Sequence, residues 1–160
     1  MPEPYRVLFI CTGNACRSQM AEALLRDLDD PRFEARSAGS DPAGYIHPVA
    51  IETLRRMNVS LEGQYSKGWD EFADDENHII ITVCDHAASQ PCPTWPGHPA
   101  TAHWPLPDPS FVSGTEEDRV QLATQIANLL KERILKLIKL PLDRLTSEQV
   151  RTELARIEAE

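Results

Sequence analysis

Tyr5-Arg6-Val7-Leu8-Phe9-Ile10-Cys11-Thr12-Gly13-Asn14-Ala15-Cys16-Arg17-Ser18-Gln19-Met20-Ala21-Glu22 reads as three pieces in succession. The short apolar run from Tyr5 to Ile10 is a buried strand. Residues 11–17 make a tight loop. Met20, Leu24 and Leu28 then recur at helical spacing, with Ala21 and Leu25 beside them, and Ser18 is placed to cap that helix. Asp29-Asp30-Pro31 ends it. A turn that leaves a strand and enters a helix can aim successive backbone N–H groups inward, as a nest for a tetrahedral oxyanion. The positive end of the following helix adds to the field. In this reading Thr12, Gly13, Asn14, Ala15, Cys16, Arg17 and Ser18 are the oxyanion-binding residues, and Gly13 supplies the dihedral freedom of the curl. Arg17 can close over the anion with a two-pronged contact that Lys could not copy. A free thiol titrates near about 8.5, and a helix N-terminus with a nearby cation lowers that value. Cys11 is therefore expected as a thiolate nucleophile, placed to attack phosphorus or arsenic.

Working outward, Phe33 to Ser37 is a second strand, closed by Ala38-Gly39-Ser40. His47-Pro48 opens a second helix that Ile51, Leu54 and Met57 continue. A short helix is expected within Lys67 to Asp75. His78-Ile79-Ile80-Ile81-Thr82-Val83 is the strongest strand, β-branched and apolar, and it too runs into a cysteine, Cys84. Asp85 to Pro109 reads as a long irregular loop with one short strand near Thr101 to Trp104. Thr115 caps a long helix whose first turn carries Glu116, Glu117 and Asp118; Ala123, Ile126, Leu130, Ile134 and Leu137 mark its buried face, and Pro141 stops it. A last amphipathic helix starts at Thr146 or Ser147. Strands alternating with helices imply an α/β fold with a mainly parallel sheet. We expect a main domain over residues 1–140 and a helical extension over 141–160, attached as an appendage.

Bulk composition sets the outer bounds. The chain has 160 residues, 41% hydrophobic and 26% charged, which suits one soluble domain with one sizeable core. A formal net charge of −9 argues against a nucleic-acid binder. It leaves an anionic substrate open, because a local site can be electropositive on an acidic protein. No stretch has the apolar length of a membrane span, and the start lacks the pattern of a signal peptide. A cytoplasmic monomer is the expectation, with its four cysteines mostly reduced.

Cys84 and Cys92, with seven residues between them, admit three readings. They are inert thiols, zinc ligands lacking the usual close pairing, or a relay with Cys11 in which a second thiol resolves an oxidised adduct and a third carries the disulfide outward. Cys16 reads as structural. Asp108-Pro109 offers a carboxyl that could protonate a leaving oxygen, or is an ordinary loop aspartate. His47, His78, His86, His98 and His103 show no ligand spacing, Trp95 and Trp104 read as loop packing, and Asp74-Asp75-Glu76 as a solvated turn. No metal site is expected.

The run from Cys11 to Glu22 resembles the signature of arsenate reductases built on the low-molecular-weight protein tyrosine phosphatase fold. The likeness extends over residues 5–138, through Ser37-Ala38-Gly39, Val83-Cys84, Cys92-Pro93 and His103-Trp104 to Asp108-Pro109. The resemblance implies a single three-layer domain, a four-stranded parallel sheet flanked by helices. It also implies a mechanism. Cys11 attacks arsenate held by the loop and Arg17, Asp108 protonates the leaving oxygen, and Cys84 attacks Cys11 to release arsenite. Cys92 then attacks Cys84, and thioredoxin or glutathione with glutaredoxin reduces the resulting disulfide, with no tightly bound cofactor. Gln19 stands where the phosphatases usually carry Pro, and Ser110 where they carry Tyr. The Cys84–Cys92 spacing is longer than in thioredoxin-coupled members. Those members hold a potassium ion through residues that Asn14, Glu22 and Ser37 resemble, while Ser18 also supports the loop. Lys67 takes the place of a further aspartate, and its ammonium is expected to replace the ion. Two other functions compete: phosphomonoester hydrolysis through a phosphocysteine, and a non-catalytic oxyanion-binding module.

Overall fold

The computed structural model describes residues 3–84 and 95–160. Four strands, β1 (Tyr5–Cys11), β2 (Phe33–Gly39), β3 (Ile79–Thr82) and β4 (Ala100–His103), form one sheet in the order β2-β1-β3-β4. Every pairing is parallel, with Ile10 opposite Ala38 on one side and Thr82 on the other. Among the described residues four α-helices pack around it: α1 (Arg17–Asp27), α2 (Pro48–Arg56), α3 (Glu116–Ile138) and α4 (Ser147–Ala159). β1 and β3 are almost wholly buried, which is why both read as unbroken apolar runs rather than alternating ones. The expected α/β architecture is the observed one.

The chain winds from β1 through α1 to β2, then crosses to the other side of β1 to enter β3. Its direction of winding reverses between β1 and β3. In an open parallel sheet a crevice opens there, beyond the carboxyl ends of the strands. Cys11 ends β1, and Cys84 follows β3 by two residues. Both cysteines therefore sit at the crevice for topological reasons.

Several local expectations shift by a residue or two. β2 runs on to Gly39, β4 begins at Ala100, and the short helix within 67–75 is a single 3-10 turn, Trp69–Phe72. His47 caps α2 by accepting from the Val49 amide through Nδ1. Thr115 and Thr146 open α3 and α4 with reciprocal capping boxes.

The last helix is not an appendage. Val150, Leu154 and Ile157 are buried in the common core, and Trp104, fully buried, donates its indole N–H to the Leu154 carbonyl at 3.0 Å. β4 is one of the two sheet edges, and α4 packs against it, which hinders its pairing with another chain. No helix among the described residues is long and apolar enough to cross a membrane.

Candidate active site

The loop is held by its carbonyls. The backbone oxygens of Cys11, Thr12, Gly13 and Ala15 accept from the amides of Ser40, Asp41, Ala43 and His47, at 2.8–3.2 Å. The Asn14 carbonyl accepts from Gln19 Nε2 at 3.0 Å. Across a trans peptide the C=O and the next N–H point in opposite directions. Five successive carbonyls, four taken up by the 40–47 segment and the fifth by Gln19, therefore turn the amides of residues 12–16 inward. That is the nest the spacing implied, and its physical cause is the 40–47 segment gripping the loop from behind.

The inward side opens into a cavity of about 260 Å³ lined by Cys11, Thr12, Gly13, Ala15, Cys16 and Arg17, and by Ala43, Tyr45, His47, Asp108 and Ser110 across from them. Arg17 donates through Nη1 to the Leu106 carbonyl at 2.9 Å, and its Nη2 lies 3.4 Å from Asp108 Oδ2. A guanidinium carries five donors, so donors remain for an oxyanion after these contacts. Asp108 is held in turn, its Oδ1 accepting from the Ser110 amide at 2.9 Å and the Ser110 hydroxyl at 2.6 Å.

Asn14 and Ser18 face the other way. The left-handed turn of the loop falls at Asn14, with φ of 47°, and not at Gly13. A Cβ on Gly13 would meet only ordinary contacts, so the expected role of that glycine is corrected. Asn tolerates this conformation because its short polar side chain can hydrogen-bond locally, and here that side chain is fully buried behind the loop. Ser18 does not cap the helix either. α1 starts at Arg17 after Cys16, and the Ser18 hydroxyl is spent on the Cys11 sulfur at 2.8 Å and on Asn14 Nδ2 at 2.8 Å.

The supporting residues converge behind Asn14. Ser37 Oγ donates to Glu22 Oε1 at 2.5 Å, and Lys67 Nζ lies 3.5 Å from the same oxygen. The Lys67 ammonium also donates to the Tyr65 carbonyl at 3.0 Å and sits 4.6 Å from the Tyr65 ring centroid. Its backbone amide donates to Asn14 Oδ1 at 2.9 Å. Gly39 allows this closeness, since a Cβ there would fall 2.5 Å from the Thr12 oxygen and 2.9 Å from the Asn14 nitrogen. Gly39→Ala is expected to cost about 1–3 kcal/mol of stability and to loosen oxyanion binding. Urea unfolding and phosphate titration measure the two effects.

Cys84 is buried, with its sulfur 3.3 Å from Thr12 Oγ1, so the second cysteine lies against the nucleophile's own loop. Cys92 and His86 lie outside the described residues. Cys16 lines the cavity yet is buried; burial, helped by Asp108 and Cys11 and opposed by Arg17, pushes its thiol up to about 12. The thiolate form is what alkylates. Cys16 is therefore expected to stay unmodified by iodoacetamide at neutral pH and to begin reacting only as the pH climbs toward that value. Peptide mapping of protein alkylated at rising pH checks this. Among the described residues no cluster of His, Cys, Asp or Glu could hold a metal ion.

Sequence reasoning missed part of the wall. His47 was legible only as a helix opener and Tyr45 gave no signal at all, while Gln19, buried behind the loop, was legible only as a departure from the phosphatase pattern. Their places depend on how the 40–47 and 64–67 segments fold back onto the loop, which no local spacing encodes.

Comparison with known proteins agrees with this geometry. The family model of low molecular weight phosphotyrosine protein phosphatases matches residues 6–154. An arsenate reductase from Oceanobacillus iheyensis is 32% identical over 128 residues, 80% of this chain and 91% of that relative. A solved arsenate reductase in its phosphate binding state aligns with a TM-score of 0.66 at 26% identity, covering 84% of this chain and 96% of that one. A thioredoxin-dependent arsenate reductase from Corynebacterium glutamicum aligns with a TM-score of 0.57 at 28% identity, covering 84% of this chain and 64% of that one. The chain belongs to the low molecular weight phosphotyrosine protein phosphatase family, in company with these arsenate reductases.

Proposed function

We propose that this protein is an arsenate reductase that works by thiol chemistry alone. The observation that carries the reading is the pairing of two features at one crevice: an inward-turned amide loop around Cys11, and Cys84 against that loop through Thr12. A phosphatase needs the first and has no use for the second. The similarity to arsenate reductases over four-fifths of the chain supports it further.

The steps follow from the groups present. Arsenate binds to the loop amides and Arg17. The Cys11 thiolate attacks arsenic, and Asp108 gives a proton to the departing oxygen, which leaves as water. The Cys84 thiolate attacks Cys11 Sγ. The sulfur–arsenic bond breaks with its electron pair going to arsenic, which leaves as arsenite, and a Cys11–Cys84 disulfide remains. Cys92 then displaces Cys11 from Cys84, and an external dithiol reduces the Cys84–Cys92 bond. Thioredoxin is the proposed donor, on the likeness to a thioredoxin-dependent relative, with glutathione and glutaredoxin as the other arm of the test. Residues 1–140 carry this chemistry and 141–160 form the helical cover of the β4 edge. The cytoplasm is the proposed compartment, and the monomer the working unit. Slow phosphomonoester hydrolysis is expected on the side, since phosphate and arsenate share shape and charge.

The test is arsenite formation with thioredoxin, thioredoxin reductase and NADPH supplied, against glutathione with glutaredoxin. Release of phosphate from aryl phosphates with no arsenite from arsenate would instead make the protein a phosphatase. Lys67 gives a separate expectation. Its ammonium lies against Glu22 beside Ser37 and Asn14, where a bound cation would otherwise be held. Arsenate turnover by the intact protein should therefore be the same in potassium and in sodium buffers of equal ionic strength. A marked stimulation by potassium would contradict it.

A further inference from the structure

Gln19 is fully buried in the first turn of α1, and its side chain is saturated. Its Nε2 shares its two hydrogens among the Asn14 carbonyl at 3.0 Å, the Tyr65 carbonyl at 2.9 Å and Asn14 Oδ1 at 2.9 Å. Its Oε1 accepts from Gln64 Nε2 at 2.8 Å, and that same nitrogen donates to the Gln19 backbone oxygen at 3.1 Å. Asn14 Nδ2 donates to Ser18 Oγ at 2.8 Å and to Ser37 Oγ at 3.0 Å.

A side-chain amide can in principle be turned end for end, but the backbone fixes each one here. The Gln19 carbonyl accepts and cannot donate, so Gln64 presents its nitrogen. The Asn14 and Tyr65 carbonyls do the same for Gln19. The Lys67 amide donates and cannot accept, so Asn14 turns its oxygen to that side. The Ser18 hydroxyl, which accepts from Asn14 Nδ2, lies 2.8 Å from Cys11 Sγ, and because a thiolate can only accept, the hydroxyl is the donor whenever Cys11 is ionised. The bonds run one way: Gln64 to Gln19, Gln19 to Asn14, Asn14 to Ser18, Ser18 to Cys11. Each amide whose oxygen accepts becomes a stronger donor at its nitrogen, and a donor aimed at sulfur favours the thiolate over the thiol.

We propose that Gln19 and Gln64 are positioning residues that stabilise the Cys11 thiolate from behind the loop, acting through Asn14 and Ser18. The proposal rests on Cys11 as the nucleophile and not on arsenate as the substrate. Gln64 does not line the cavity that Cys11 lines.

Among the described residues, the titratable groups that face Cys11 are Arg17 and Cys16 from its own loop, Tyr45, His47 and Asp108 across the cavity, and Cys84 beside Thr12. Glu22 and Lys67 lie farther back, beyond Ser37 and Asn14. Substitutions at Gln19 and Gln64 leave all of them in place. The experiment follows alkylation of Cys11 by iodoacetamide across a pH series, read by mass spectrometry of its peptide. Gln64→Met removes the first donor at a half-buried position, Gln19→Met removes the middle one, and Gln64→Lys keeps a donor where Gln64 had it. Near pH 6, Cys11 alkylation is expected to slow about threefold in Gln64→Met and about tenfold in Gln19→Met, with the gap closing by about pH 9. Gln64→Lys should follow the intact protein. If Gln19→Met does not fold, Gln64→Met decides. A profile unchanged by Gln64→Met, or a rate altered by one factor at every pH, would overturn the proposal and leave these residues a packing role. The readout needs no turnover, so a failure of arsenate reduction would not be mistaken for a failure here.

Discussion

Cys84→Ser is expected to remove steady-state arsenate reduction almost completely, by about 10³-fold or more, because a serine hydroxyl is a poor nucleophile at neutral pH and cannot take part in thiol exchange. Cys84 is buried and small, one neighbour of its sulfur is the Thr12 hydroxyl, and serine can keep that hydrogen bond. Folding should therefore survive, and circular dichroism with a thermal melt checks that. The informative part is what remains. Cys11 still has its amide nest, Arg17 and Asp108, so phosphate binding and any slow aryl phosphate hydrolysis should persist. Loss of reduction with retained oxyanion chemistry separates the second thiol's role from the loop's. If Cys84→Ser lost both together, the cysteine would be a structural element of the crevice.

Arg17→Lys is the second large effect. Charge is conserved, but geometry is not. The guanidinium reaches the Leu106 carbonyl at 2.9 Å and Asp108 at 3.4 Å while keeping donors for the anion, and a lysine ammonium is a point donor that cannot serve all three. Loss of one preorganised donor at developing negative charge costs about 10²–10³-fold in kcat. A fall of that order in kcat/KM is expected, measured as arsenite formed per unit time at low arsenate. A loss below about threefold would mean that charge alone suffices there and that the two-pronged contact is not used.

The strand-loop-helix of residues 5–28 was legible because every level agreed: an apolar run, a short curl with Gly and Asn, then apolar residues at helical spacing. The cap at Thr115 was legible for the same reason, and His47 and Thr146 were legible as helix starts, the latter with Ser147 as the other choice. What stayed hidden was everything set by distant segments. Ser18 looked like a cap because Ser before an amphipathic run usually is one. In the fold its hydroxyl has Cys11 within 2.8 Å, a contact no helix pattern announces. Gly13 drew the eye where Gly39 carries the steric demand, since Gly39 meets the loop only after β2 has paired with β1. The final helix read as an appendage because Leu154 and Ile157 give no hint that their partners are Trp104 and β4, roughly fifty residues earlier.

Disulfide mapping after a single turnover tests the proposed relay most directly. The reduced protein is mixed with excess arsenate without any external reductant, quenched with acid, alkylated and digested. A Cys84–Cys92 bond in the intact protein, and a Cys11–Cys84 bond in Cys92→Ser, are the expected results, each with one arsenite per protein. Arsenite formed with no intramolecular disulfide, or a disulfide that leaves out Cys84, would contradict the relay and return Cys11 to the part of a hydrolytic nucleophile.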